Sequence, residues 1–366
     1  MAHSLTAAPR FGIEEEYLLL DAETGAPRDG VDDIIAAIPD QLAEHEFYAC
    51  QLETATPVCE RSEQALEFLA GFRTSAAAAA DDLGIVLAGT GLPPIGGDAH
   101  GSRVDKARYH DIEATMRGMV TRYYSTGTHV HVEVPSRDAG VDAIARIAPW
   151  APVLVALTAN SPVWLGEETG YADWRFMSMQ QWATAGFPPR FDSAAEYDGV
   201  VNDLVRSGAL LDSGLVNWSI RLSDKYPTIE ARLADAQLDP RDAVAYGLLF
   251  RALTARAFRD ASAGEPVPQW QRDVVRGAHW VAARNGLGSV LVDPISGDPQ
   301  PAVEVVERLV AHVGDELAHA GDLETVRAFI DRRRADQGAA QLQLAAWRDS
   351  GMTGLLALYR AGHRAE

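Results

Sequence analysis

Over the first 235 residues the chain repeatedly alternates apolar and polar side chains one by one, the period of a half-buried β-strand. Phe11 to Leu20 places Glu14 and Glu16 on one face and Ile13, Glu15 and Tyr17 on the other, and Leu18 to Leu20 continue it as a buried run. Gln51 to Thr56 sets Gln51, Glu53 and Ala55 on one face before Pro57 stops regular pairing. Ile85 to Gly91 predicts a buried strand. The cleanest alternation is Gly127 to Val134, with His129, His131 and Glu133 opposed to Val130, Val132 and Val134. Val216 to Leu222 and Thr228 to Ala234 predict a hairpin through residues 223–227, with Thr228, Glu230, Arg232 and Ala234 opposite Ile229, Ala231 and Leu233.

Between and after these strands the spacing turns helical. Helices are predicted over Val31 to Leu42, Ser62 to Leu83, Tyr109 to Tyr123, and Asp138 to Ala159, where Pro149 and Pro152 require a kink or break. Asn160 to Asp192 has no clear period and carries Trp164, Trp174 and Trp182, as functional lids or binding segments do. From Pro240 onward the pattern is mainly helical, interrupted by a short strand at Val290 to Val292. Strands that cluster first and helices that dominate later favour an α+β fold over regular βαβ alternation. We expect one domain over residues 1–366, strand-rich to 235 and mainly helical from 236.

Charge narrows the partners. Asp and Glu total 52 against 32 Lys and Arg, a net charge of -20 that repels nucleic acid and anionic membranes. Only Lys106 and Lys225 are lysines, and neither ends a phosphate-binding G-x-x-x-x-G-K-[ST] loop. No G-x-G-x-x-G opens a helix after a strand, so a Rossmann dinucleotide site is unsupported. With no run of eighteen apolar residues and no signal-like N-terminus, the expected location is the cytoplasm. Cys50 and Cys59 give no disulfide framework and read as core residues.

The polar faces are the informative feature. Glu14 with Glu16, Gln51 with Glu53, His129 with His131, and Glu230 with Arg232 each form a charged, imidazole or amide pair on one strand face. Four such strands point to a sheet with one face on helices and the other a wet, charged cleft. Neighbouring carboxylates repel and lose hydration unless a cation neutralises them, and oxygen-rich, sulfur-free ligation suits Mg²⁺. Metal-bridged carboxylates could hold nucleotide phosphates while Arg232 and His131 neutralise a moving phosphoryl group. Plainer readings stand beside this: a solvated acidic edge strand, structural histidines, and a Glu230–Arg232 ion pair. Glu15, on the opposite face, is assigned no chemistry.

Five segments carry a resemblance: Gly12-Ile-Glu-Glu-Glu, Gln51-Leu-Glu-Thr-Ala-Thr-Pro-Val-Cys59, Gly127-Thr-His-Val-His-Val, Tyr226-Pro-Thr-Ile-Glu-Ala-Arg232 and Trp280-Val-Ala-Ala-Arg-Asn-Gly-Leu287. In this order the chain resembles glutamate-cysteine ligase type 2, the carboxylate-amine ligase family. The resemblance implies a curved, mainly antiparallel sheet flanked by helices, a glutamine-synthetase-like catalytic core whose concave face holds ATP and Mg²⁺. It implies that Glu14, Glu16, Glu53 and Glu230 are metal ligands, Arg232 and His131 catalytic phosphate contacts, and His129 and Arg284 cofactor contacts. Small-molecule amino acid and amine substrates are the expected partners, with a homodimer as a further option. Ser219 and Leu222 depart from the family pattern, where an acidic residue and a proline are expected beside the amino-acid pocket. Two other function classes remain: a metal-dependent hydrolase using His129 and His131 on Zn²⁺, and a non-catalytic nucleotide or amino-acid binding protein on the same fold.

Overall fold

The computed structural model describes residues 7–38, 42–96, 101–120 and 124–363. Strand β1 (Phe11–Asp21) is its central element, and everything from Glu15 to Leu20 is buried. After helix α1 (Val31–Ala37) come β2 (Glu44–His45) and β3 (Gln51–Ala55), then the long helix α2 (Ser62–Asp82) and β4 (Ile85–Ala88). Helix α3 (Ala107–Met116) continues as a single 3₁₀ turn to Met119, so the predicted helix to Tyr123 is shorter within the described part, and residues 121–123 lie outside it. Residues 39–41, at the end of the first predicted helix, also lie outside it. Strand β5 (Gly127–Glu133) follows, then α4 (Arg137–Ile147) and α5 (Ala151–Thr158), which meet at a 72° bend where the two prolines demanded a break.

The segment without a clear period folds as a two-stranded ribbon, β6 (Val163–Trp164) with β7 (Glu167–Glu168), and a short helix α6 (Trp174–Met179). Helix α7 (Ala194–Arg206) leads to the hairpin β8 (Ile220–Leu222) and β9 (Thr228–Asp235). The rest is helical: α8 (Pro240–Ser262), α9 (Arg272–Asn285), α10 (Ala302–His312), α11 (Gly314–Ala320), α12 (Leu323–Asp336) and α13 (Ala339–Ala361). One small ribbon interrupts it between α9 and α10, where β10 (Val290–Val292) pairs with β11 (Pro299–Pro301). Among the described residues no single helix is long and apolar enough to cross a membrane.

The main sheet is open, with strand order β2-β3-β1-β5-β9-β8 and β4 added beside the second half of β1. All of its pairings are antiparallel. The four strands with polar pairs therefore stand side by side, as β3, β1, β5 and β9. Register aligns Glu16 with Glu53, Glu14 with His129, and His131 with Glu230. An irregularity between Thr128 and Val130 shifts the β5–β9 pairing by one residue.

The other face carries Ile13, Val130, Val132, Ile229 and Ala231 into the main core with α4, α5 and α8. Gly247 on α8 leaves room for Ile13, whose Cδ1 lies 3.0 Å from where a Cβ would sit. Glu15 is on this face too. Fully buried Arg73 from α2 binds it, donating from Nε to Glu15 Oε2 at 3.0 Å and also to the Tyr17 hydroxyl at 3.0 Å. The same guanidinium donates to the carbonyls of Leu238 at 2.9 Å and Gln237 at 3.0 Å, tying α2, β1 and the entry to α8 together.

Candidate active site

Because side chains alternate and the four strands are neighbours, their polar groups meet on one face. His131 Nε2 lies 3.2 Å from Glu14 Oε1 and 4.0 Å from Glu230 Oε2. His129 Nδ1 lies 3.5 Å from Glu14 Oε2, and its Nε2 lies 3.7 Å from Glu16 Oε1. Glu53, opposite Glu16, completes the acidic side and shares a hydrogen bond with Glu46 just past β2. Arg232 binds Glu230 and reaches His129 Nδ1 at 3.4 Å. Glu230 is only 2% exposed, so its charge depends on these partners.

Three residues join that the strand pattern did not single out. Arg221 donates to Glu230 through Nε at 2.8 Å and Nη2 at 3.3 Å, while its Nη1 holds the Gly214 and Val216 carbonyls at 2.9 and 2.6 Å. Its signal was present in the hairpin, since Arg221 stands directly opposite Glu230. Glu46 and Arg175 come from irregular chain and a short helix, where no period marks them.

Other expected residues go elsewhere. Arg284 sits exposed at the end of α9 and donates to its neighbour Asn285 Oδ1 at 3.2 Å, so it is not among the charged groups that meet on the sheet. Glu133 shares the histidine face but pairs with Arg10 at an exposed edge, 2.6 Å away. Gln51 is buried and donates to the Ser125 carbonyl at 3.1 Å. Leu222 belongs to the core and meets α4 at Gly140, where a Cβ would lie 2.6 Å from its Cδ2.

The electrostatics divide across the sheet. Burial and then the charge of Glu46 push Glu16 up to about 8, against the pull of Arg175 and Arg232. Burial, then Glu46, Glu14 and Glu16, lift Glu53 well above the ordinary carboxylate range. Burial would also raise Glu14 and Glu230. Hydrogen bonds from His129 and His131 reverse this for Glu14, and the charges of Arg232 and Arg221 reverse it for Glu230, leaving both well below the usual range. Burial, then the positive charge of Arg232, lower His129 to about 4, so its imidazole is neutral.

These residues fit a divalent cation. Glu14, His131 and Glu230 offer ligand atoms all within 4.8 Å of one another. Thr228 Oγ1 holds His131 Nδ1 at 2.9 Å, orienting Nε2 toward the carboxylates, an outer contact typical of a metal-binding histidine. His129 Nε2 is buried with no hydrogen-bond partner among the described residues and faces Glu16. A second group of acids, Glu16 and Glu53, is crowded enough to favour protonation unless a cation offsets the repulsion. Four carboxylates with two imidazoles make an oxygen-rich set suited to Mg²⁺ or Mn²⁺ more than to a zinc site.

Where β1 begins and β9 starts, the face opens into a cavity of about 470 Å³ lined by Glu14, Thr56, Val58, His131, Tyr226 and Thr228, among others. Tyr226 is 58% exposed and stands edge-on to His131, with ring centroids 5.9 Å apart. A recess with apolar walls that reaches Glu14 and His131 at one end can seat a planar group with its charged end toward the sheet.

Comparison with known proteins identifies the family. The family model "Glutamate-cysteine ligase family 2(GCS2)" matches residues 10–354. A Mycobacterium sp. (strain KMS) protein named "Putative glutamate--cysteine ligase 2-2" is 38% identical over 352 residues, covering 95% of this chain and 96% of its own. The fold is similar to that of a bifunctional glutathione synthetase from Pasteurella multocida, with a TM-score of 0.72 at 14% identity, covering 98% of this chain and 53% of that one. It is also similar to a glutamate–cysteine ligase from Francisella tularensis solved with AMP, with a TM-score of 0.71 at 12% identity over 98% and 88% of the two chains. The solved structures speak for the fold, while the family model and the Mycobacterium relative span almost the whole sequence: the chain belongs to glutamate-cysteine ligase family 2.

Proposed function

We propose that the protein is an ATP-dependent carboxylate–amine ligase that activates a substrate carboxylate as an acyl phosphate, which an amine then converts to an amide. The observation that carries this reading is the polarity of one sheet face. Acids from β3 and β1 crowd one side, and Arg221, Arg232 and His131 gather around Glu230 on the other. A carboxylate is a poor electrophile until an oxygen leaves as phosphate. The γ-phosphorus–oxygen bond of ATP breaks as a substrate carboxylate oxygen bonds to phosphorus, releasing ADP. The amine then forms the C–N bond, its proton passes to solvent, and phosphate departs.

Each residue has a part in that sequence. Arg232 can present its fork to the phosphoryl oxygens, and its buried Nε has no hydrogen-bond partner among the described residues. Arg221 keeps Glu230 charged and fixed while Arg232 turns to phosphate. Glu14, His131 and Glu230 would hold one divalent cation and Glu16 with Glu53 another, with His129 between the two groups. Such a cation supplies charge screening as phosphate and carboxylate approach. The cavity beside Tyr226 suits the nucleotide base.

The test is ADP release from Mg²⁺-ATP in the presence of glutamate and cysteine, followed by other amino acid and amine pairs. Ser219 replaces an expected acid, so a different pair supporting faster turnover than glutamate and cysteine remains within the proposal. Failure of every pair to raise ADP release above the ATP-only rate refutes it.

A further inference from the structure

Helix α4 turns Val141, Ile144 and Ala145 toward one side, with Ala148 just past its end. The two alanines leave a space that Phe187, Phe191, Tyr197 of α7 and Trp270 wall on its other sides, a cavity of about 130 Å³. It lies away from the charged groups. Val141 and Ile144 share the core with Leu222 and Ile229, which pair across β8 and β9 on the apolar face, so the sheet stands between the cavity and the polar cluster. Pro188 and Pro189 stiffen the chain between the two phenylalanines, and Pro266 and Pro268 do the same before Trp270, so neither segment collapses easily into the space. Left empty, such a space forgoes dispersion contacts along its whole lining.

The size of the cavity and its charge select an occupant. An apolar cavity of about 150 Å³ takes one benzene ring, so this one holds a single ring and excludes a nucleotide or a long acyl chain. Phe191 and Tyr197 already meet edge to face, with centroids 5.1 Å apart, an arrangement that a third ring extends. Two of the lining residues are exposed arginines, Arg190 and Arg272. Arg190 Nε lies 3.8 Å from Asp192 Oδ1, a loose pair between side chains that both reach solvent. Arg272 makes no ion pair among the described residues, although acids outnumber basic residues 52 to 32 in this chain. It stands in the first turn of α9, where the helix dipole disfavours a cation and favours an anion beside it. An ammonium would be repelled by both guanidinium groups.

We propose that this cavity is a ligand site for a small carboxylate carrying one aromatic ring. The ring sits among Phe187, Phe191, Tyr197 and Trp270, and the carboxylate lies at the mouth on Arg190 and Arg272. The site is separate from the polar sheet face, and it stands or falls independently of the ligase reading.

The experiment is titration calorimetry on the full chain without nucleotide, using phenylacetate, its neutral analogue phenylacetamide, and acetate. Phenylacetate should bind one per chain with a Kd on the order of 0.1–1 mM, as expected for a ligand of this size. Phenylacetamide keeps the ring and should bind roughly three- to tenfold more weakly, the range for losing solvent-exposed charge pairing. Acetate should give no saturable heat. Arg190→Gln with Arg272→Gln should bring phenylacetate down to the affinity of phenylacetamide and leave the amide unchanged; both positions are exposed, so folding is retained. Ala145→Leu fills the space and should abolish binding of both ring compounds. If that variant does not fold, the arginine pair still decides. Absence of saturable phenylacetate binding, unchanged affinity in the double arginine variant, or full binding by a folded Ala145→Leu protein overturns the proposal. So does a dimer that Ala145→Leu dissociates, which would place a side chain of a second copy in the cavity.

Discussion

Strand β1 should separate chemistry from stability by parity, and Arg73→Met tests this. The substitution keeps an unbranched apolar stem in α2 and removes the guanidinium. Glu15, on the core face and fully buried, loses its cation, and the Leu238 and Gln237 carbonyls and the Tyr17 hydroxyl lose a donor. Breaking a buried ion pair from one side costs about 3–5 kcal/mol, because the remaining charge is left without compensation. At this chain length that corresponds to a fall in thermal midpoint of about 4–7 °C. The double variant Glu15→Gln with Arg73→Met should recover roughly half of the loss, since no charge is then stranded while the carbonyls still lack donors. ADP release by either protein, measured below its transition, should stay within about threefold of the parent, as none of these groups faces the cluster. Urea unfolding of the parent, both single variants and the double variant supplies the full cycle. A loss below about 1 kcal/mol for Arg73→Met, or a double variant no more stable than it, refutes the buried-pair account. Loss of ADP release by a well-folded Glu15→Gln protein refutes the division by parity.

Three further outcomes are expected. Arg232→Lys keeps a positive charge but not the fork, so turnover should fall by on the order of tenfold to a thousandfold with little change in midpoint, and near-normal turnover would remove Arg232 from phosphoryl transfer. Burial raises Glu16 to about 8 from an ordinary value near 4.5, so between those limits the folded chain binds more protons than the unfolded one and metal-free stability falls as pH rises. Glu16→Gln should flatten that slope, stabilise the metal-free protein at pH 8 by roughly 1–3 kcal/mol and abolish ADP release, and a parent midpoint that climbs from pH 5 to 8 without Mg²⁺ would contradict this. Buried His279 is held down to about 4 by burial, with Nδ1 on the Val275 carbonyl at 2.8 Å and its ring against Phe176 and Phe187. Its contribution is lost as pH falls from about 6.5 to about 4, so His279→Phe should weaken the acid-side loss seen in urea midpoints at pH 7 and pH 5.

Residue alternation along β1, β3, β5 and β9 was enough to say which side chains share a face, because in an extended chain that relation is covalent geometry and needs no partner. It separated Glu14 and Glu16 from Glu15, and the structure sets the former pair among histidines and arginines and the latter on Arg73. The proline break between α4 and α5 and the hairpin of β8 with β9 were legible for the same local reason. Which strands become neighbours is a different kind of fact. The order β3-β1-β5-β9, and the registers that put Glu14 opposite His129 and His131 opposite Glu230, arise from helices packing the apolar face across large sequence separations. Tertiary structure also decided that Arg221 clamps Glu230, that Glu46 and Arg175 reach the cluster from aperiodic chain, that Arg284 stays at an exposed helix end, and that Leu222 enters the core. Sequence spacing specifies the direction of a side chain relative to its own backbone. The partner it meets depends on how the remaining surfaces bury themselves.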